Sequence, residues 1–260
     1  IKEVTVMAKS PTMDEYVEFV YIDDIPAFAD IKTSIKVLEK GVYRTESGKV
    51  QQFSAEEMKP ASLSFKIACK DPYWTKISRI KAKWYIKFVL NGGNPVTGVP
   101  NKNWRGIRPV HCREAVALFL NIGYMCTLEN FQKRISTFQG VLLDNNKNAV
   151  DTSKIISRLE NLSGFDIGLV YAGNGVAGLG GGRTWGVYQK SFLYHYENSG
   201  GCCTTIFHEL GHCLGYSHNS TMTYGQWASG CADVFYKNNI KDFPVNSHTI
   251  LKSRSNPNIY

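Results

Sequence analysis

Short runs of alternating apolar and polar residues open the chain. Lys2 to Met7, Glu15 to Ile22, Ile31 to Leu38 and Ala61 to Ile67 each carry the two-residue period of a half-buried strand. Asp23-Asp24, Glu39-Lys40-Gly41 and Ser47-Gly48 supply turn residues between them. Residues 1–75 are therefore expected to form a small all-β domain, antiparallel, with a sandwich as one arrangement. It holds no catalytic constellation; it could position substrate, aid secretion or cover a site elsewhere.

From residue 76 the pattern mixes two periods. Arg79 to Leu90 reads as a strand, with Ile80, Ala82, Trp84, Ile86, Phe88 and Leu90 on one face and Arg79, Lys81, Lys83, Tyr85 and Lys87 on the other. Pro109 to Asn121 predicts a helix with proline in its first turn and Val110, Val116, Phe119 and Leu120 as apolar surface. Ile135 to Leu143 predicts a strand, and Asp151 can cap a short helix carrying Ile155, Ile156, Leu159 and Leu162. Phe165 to Tyr171 predicts a further strand, Cys202 to Leu214 a helix, Gln226 to Tyr236 a last helix, and Asn246 to Tyr260 a polar, irregular tail. Residues 76–260 are thus expected to form an α+β domain.

The chemistry concentrates in the helix from Cys202. His208 and His212 are four residues apart, which puts both rings on one helical face. Glu209 sits one step round, placed to take a proton from water rather than to bind metal. Gly215 can adopt the left-handed conformation that ends a helix and turns the chain, bringing His218 back as a third ligand. Three protein ligands and one open position are the arrangement of a catalytic zinc rather than a structural one.

The full run, His208-Glu209-x-x-His212-x-x-Gly215-x-x-His218, resembles the signature of the metzincin zinc endopeptidases. Ser220-Thr221-Met222-Thr223-Tyr224 is similar to the Met-turns of astacins and serralysins, although only three residues separate His218 from Met222 where the family usually has more. The resemblance implies a zincin-like catalytic domain and hydrolysis of peptide bonds in protein substrates. It further implies a single Zn2+ on His208, His212 and His218, with Glu209 as general base. Met222 would pack beneath the ligands, and Tyr224 would assist at the metal or the transition state. The pocket for the residue after the scissile bond would be walled by the metal helix and by residues Tyr224 to Trp227.

Gly173 to Gly182 contains a Gly-x-Gly-x-x-Gly after a strand, the outline of a dinucleotide loop. No helix opens at its last glycine, and no acidic residue stands where a ribose would be held, so that reading fails. The family resemblance supplies another: an edge strand over Val176 to Gly181, beside a strand over Thr184 to Lys190. There Gly178, Leu179 and Gly180 would bind an extended substrate through backbone hydrogen bonds.

Composition adjusts this picture only slightly. The 260 residues are 43% hydrophobic and 20% charged, ordinary for a globular protein, with no apolar run long enough to span a bilayer. The net charge of +8 could draw anionic partners, but acidic residues are interspersed throughout. The cluster Lys76, Arg79, Lys81, Lys83 and Lys87 falls mostly on the solvated face of a strand, so no nucleic-acid partner is expected. Seven cysteines suggest an oxidising compartment, and a bridge from Cys202 or Cys203 to Cys231 would fasten the site. Cys69 lies in a poor match to the thiolate switch that keeps some metzincins latent, so a disulfide or a buried thiol is the preferred reading. With the family habit of secretion, an extracellular monomer is expected, and a toxin or effector acting in a host is compatible. Calcium stays open, because no EF-hand type loop is present. The competing class is a surface- or glycan-binding protein that uses the β domain and the basic face, with the zincin fold as scaffold.

Overall fold

A computed structural model of the chain describes residues 1–26, 29–34, 39–89, 102–171, 173, 175–195 and 202–246. The chain divides into two compact units, Ile1–Ser78 and Arg79–Tyr260, and its class is α+β.

The first unit contains strands β1 (Lys2–Lys9), β2 (Val17–Asp24), β3 (Lys40–Arg44), β4 (Val50–Ser54) and β5 (Ser64–Cys69), then helix α1 (Pro72–Ile77). β1 pairs antiparallel with both β2 and β5, and β3 with β4 forms a separate hairpin. Gly48 takes φ +85 at the hairpin turn, a conformation side chains resist. Met13, Val17 and Met58 are its buried centre, with Phe19, Tyr43, Phe53 and Leu63 packed around them. Three expectations fail here. Asp23-Asp24 and Lys40-Gly41 lie inside strands rather than in turns, because β2 and β3 find partners for those backbone groups. Ile31–Ser34 form no strand, and 35–38 lie outside the described residues. Ala61-Ser62 belong to a short 3-10 turn, so β5 begins only at Ser64.

The second unit holds β6 (Tyr85–Phe88), β7 (Trp104–Arg105), α2 (Pro109–Cys126), α3 (Glu129–Ser136), α4 (Ile155–Glu160), β8 (Gly164–Val170), β9 (Gly178–Gly181), β10 (Thr184–Tyr188), α5 (Gln189–Leu193), α6 (Cys202–Cys213) and α7 (Val234–Asn239). The sheet runs β6-β8-β10-β9, with β7 paired to the end of β8. β6 and β10 flank β8 in parallel, while β9 is antiparallel to β10 and lies at the end of this order. All seven β8 residues are buried, which explains why all but one of them are apolar or glycine. Its one charge, Asp166, is met by two bonds of 3.2 Å from the Arg183 guanidinium. Phe119 of α2 stacks on Phe165 at 4.4 Å between ring centres and meets Trp185 edge-on at 5.0 Å, locking helix to sheet.

Here too the structure corrects the sequence reading. Only Tyr85–Phe88 of the expected strand 79–90 is strand, because its partner β8 begins at Gly164 and offers nothing to pair with residues 79–84; Leu90 is not among the described residues. The expected strand Ile135–Leu143 is instead the end of α3 followed by irregular chain. Phe131 and Ile135, four apart and both buried, are the core face of that helix. α2 continues to Cys126, and its buried face uses Leu118, Ile122 and Met125, leaving Val116 and Leu120 only half-buried. Gln226 to Tyr236 is not one helix: a π-helical stretch, Gly225–Asp233, precedes α7. Apart from Asn246, the tail is outside the described residues. Among the described residues no helix is long and apolar enough to cross a membrane.

Candidate metal centre

The apolar stripe of α6 fixes its rotation. Cys203, Ile206, Phe207 and Leu210 are buried at three- and four-residue spacing, so His208 and His212 are left on the rim. After Cys213 the Gly215 amide bonds the His212 carbonyl (2.9 Å) and the Tyr216 amide bonds the Gly211 carbonyl (3.1 Å). With Gly215 at φ +89 this is a Schellman ending, and it turns the chain back toward the helix. His218 Nε2 then lies 3.3 Å from His208 Nε2, and His212 Nε2 lies 3.1 Å from the same atom.

The contact between His208 and His212 cannot be a hydrogen bond between neutral rings with the tautomers the surroundings impose. His208 Nδ1 faces the Thr223 carbonyl, and His212 Nδ1 faces the Tyr216 carbonyl at 2.7 Å. A carbonyl only accepts, so both rings carry their proton on Nδ1 and turn an unshared electron pair outward at Nε2. Burial first, and neighbouring histidines after it, lower the pKa of both His208 and His212, which keeps them neutral. Converging lone pairs at this spacing repel unless a cation sits between them. Tetrahedral zinc with bonds of about 2.0–2.1 Å separates its nitrogens by ~3.3 Å, so the donors present fit such an ion.

Glu209 is buried, with Oε1 3.9 Å from His208 Nε2, and burial pushes its carboxyl up to about 8 from the usual 4.5. Gly178 and Gly180 of β9 pack directly on it. A Cβ on Gly178 would stand 2.3 Å from Glu209 Oε1, and one on Gly180 2.5 Å from the Glu209 main-chain oxygen. Gly178 and Gly180 are therefore fitted to the close approach of the strand to α6. Met222 is fully buried, and its carbonyl would stand 2.7 Å from a Cβ on Gly211. Tyr224 is half exposed, with its ring 4.9 Å from that of His208 and 5.4 Å from that of His218. The cleft of about 470 Å³ beside these residues is also lined by Thr204 and Thr205 of α6 and by Gly225, within the elements expected to wall it, and by Ser229, which the sequence did not single out. Trp227, expected in a pocket wall, is instead buried in the core.

A brace holds the third histidine, and sequence reasoning missed it. Asn145 Oδ1 accepts from the Ser217 amide (2.7 Å) and hydroxyl (3.1 Å), while its Nδ2 donates to the Gly215 carbonyl (3.0 Å). Ser220 Oγ donates to the Leu143 carbonyl (2.6 Å), and Thr221 Oγ1 accepts from the Leu143 amide (2.7 Å). The Arg158 guanidinium donates to the Leu214 carbonyl (2.5 Å) and to the Tyr216 hydroxyl. The short link from His218 to Met222 is thus clamped from outside. Asn145→Ala is expected to weaken zinc affinity about 10- to 100-fold, as loss of an outer support does. Competition against a colorimetric chelator reads this directly, and unchanged affinity would remove Asn145 from the site.

Glu209 also predicts how the metal-free protein responds to pH. From roughly pH 7 to 8 the folded carboxyl holds a proton that the unfolded chain has released. Stability therefore falls with rising pH, by at most about 1.4 kcal/mol per unit. His208 and His212, lowered from 6.5, are neutral in the folded protein over this interval and mostly neutral in the unfolded chain, so they oppose the slope only weakly. Zinc should flatten the slope by favouring the carboxylate. Urea midpoints that rise over this interval without metal would contradict the assignment.

No disulfide joins the described cysteines. Cys69, Cys112, Cys126, Cys203, Cys213 and Cys231 are thiols, so the expected bridge from Cys203 to Cys231 is not formed, and the Cys202 side chain lies outside the described set. Cys69 is a half-buried thiol donating to the Lys2 carbonyl (3.2 Å). His111 is buried, at a distance in sequence from the cluster and not part of it; the described residues contain one group able to hold a metal, His208, His212 and His218. Comparison with family models, with curated proteins and with solved structures finds no match to this chain.

Proposed function

We propose that the second unit is a zincin-like domain acting as a zinc-dependent endopeptidase on protein or peptide substrates. The observation that carries this reading is the convergence of three Nε2 atoms beside a buried Glu209, with two rings fixed by carbonyls at Nδ1. His208, His212 and His218 would hold the ion, which when bound supplies Lewis-acid polarisation and a more acidic water.

The chain's own residues do the rest. The Glu209 carboxylate accepts a proton from water as the water oxygen bonds to the scissile carbonyl carbon. It returns that proton to the amide nitrogen as the C–N bond breaks. A carboxyl whose surroundings raise its pKa is suited to both halves of that exchange. The outer edge of β9, through Gly178, Leu179 and Gly180, offers backbone donors and acceptors to an extended peptide. Tyr224, whose ring lies beside those of His208 and His218, would donate its hydroxyl to developing negative charge on the carbonyl oxygen. Met222, fully buried with its carbonyl beside Gly211 of α6, would fill space near the ligands without binding.

The test is hydrolysis of an unstructured protein such as reduced, alkylated casein by protein stripped with a chelator and reloaded with zinc. Activity lost on stripping and restored on reloading is expected. Hydrolysis that ignores the chelator, or no hydrolysis by fully zinc-loaded protein, would sink the reading.

A further inference from the structure

A second cavity, of about 680 Å³, opens at the start of α2 beside the carboxyl ends of β8 and β10. It shares no lining residue with the metal cleft, and nothing in the peptidase reading uses it. We propose that it binds a compact organic oxyanion, a carboxylate or phosphate carried on a small apolar body. Among the described residues its charged lining is cationic: Arg105 and Arg108 line it and no acidic side chain does. Arg105 stacks on Tyr171 with its guanidinium carbon 3.7 Å from the ring centre, which orients the group and leaves its N–H edge available. The 18-residue α2 starts here and adds the positive end of its dipole.

His111 supplies an independent observation. It lines the cavity and is only 1% exposed. Its Nδ1 accepts from the Arg108 amide at 3.2 Å, so the proton of the neutral ring resides on Nε2. Burial, and secondarily the Arg108 charge, push its pKa down to about 4, in keeping with a neutral ring. Nε2–H is buried and has no hydrogen-bond partner among the described residues. A buried donor left unmet is a standing cost that an acceptor would relieve. The fixed groups therefore offer donors and positive charge to one place, while Leu169 and Val170 give that place an apolar wall. A cation would be repelled, and a neutral apolar ligand would leave the donors unmet. A crevice outside the carboxyl ends of parallel strands is also where open α/β sheets take ligands.

Two probes separate the sources of the oxyanion: inorganic phosphate, and N-acetyl-leucine as a carboxylate with an apolar body. Each is titrated into the full chain by calorimetry, with the His111 ring N–H followed by NMR. Saturable binding by either probe at millimolar concentration, with movement of the His111 signal, is expected. The R105Q/R108Q variant, checked for folding by circular dichroism and thermal midpoint, should bind at least about tenfold more weakly. Tighter binding of N-acetyl-leucine assigns the site to carboxylates, and tighter binding of phosphate assigns it to phosphates. Failure of both probes to saturate, or equal binding by R105Q/R108Q and wild type, overturns the proposal.

Discussion

Zinc-loaded Glu209→Gln should hydrolyse peptides about a hundred- to ten-thousandfold more slowly than wild type, with KM little changed and zinc still bound. Glutamine keeps the shape but cannot take a proton. The substitution also touches none of the three histidines, whose orientation depends on the Thr223 and Tyr216 carbonyls and on the His218 turn. Single-turnover rates alongside metal content separate lost chemistry from lost metal. A variant that keeps wild-type turnover would mean that another group moves the proton. A variant that has lost its zinc would mean that Glu209 supports the ligands rather than the reaction. The metal-free protein gives a linked readout, since removing the raised carboxyl should also abolish the decline in stability above pH 7.

The second large effect is expected at Gly180. A Cβ there would lie 2.5 Å from the Glu209 main-chain oxygen and 2.9 Å from Oε2, so Gly180→Ala forces β9 away from α6. Backbone cannot yield as a flexible side-chain tip does, and overpacking of this kind costs about 1–3 kcal/mol. Displacement of a substrate-holding edge by about 1 Å can cost on the order of a hundredfold in rate. Both the thermal midpoint and kcat/KM should therefore fall, with zinc content unchanged. Wild-type values for both would show that the strand is not held against the helix as described. The glycines thus have one face committed to Glu209, and only the outer backbone edge of β9 remains for a peptide.

What was legible in the sequence follows the range of the interactions. His208 and His212 lie within one helical turn, and Gly215 needs only local conformation to end that helix, so spacing alone placed all three. The edge strand over Val176 to Gly181 came from the family resemblance rather than from spacing, and β9 and β10 are joined by a tight turn through Gly182 at φ +55. Asn145 and Arg158 were not. Their partners lie 72 and 56 residues away, and neither side chain carries a pattern of its own. The α3 error has another source. Ile135, Val141 and Leu143 suggested a strand, but α3 buries Phe131 with Ile135, and beyond it only Leu143 makes a bridge, to Ala149. In 79–84 the alternation was real but the partner strand was too short, and strand length is set by the neighbour as much as by the residues themselves.

The brace on the His218 turn also bears on the order of events. Its bonds span 56 to 80 residues of chain, so closing them carries a loop-closure cost that the local pairing of His208 and His212 does not. The first two histidines can come together as soon as α6 winds, whereas the third is set by contacts across long stretches of chain. Asn145 and Arg158 precede His218 in the chain, so as the chain is made the cradle emerges before the ligand it holds. A peptide spanning only Cys202 to Tyr224 would contain every residue of the metal set and still lack what orients it.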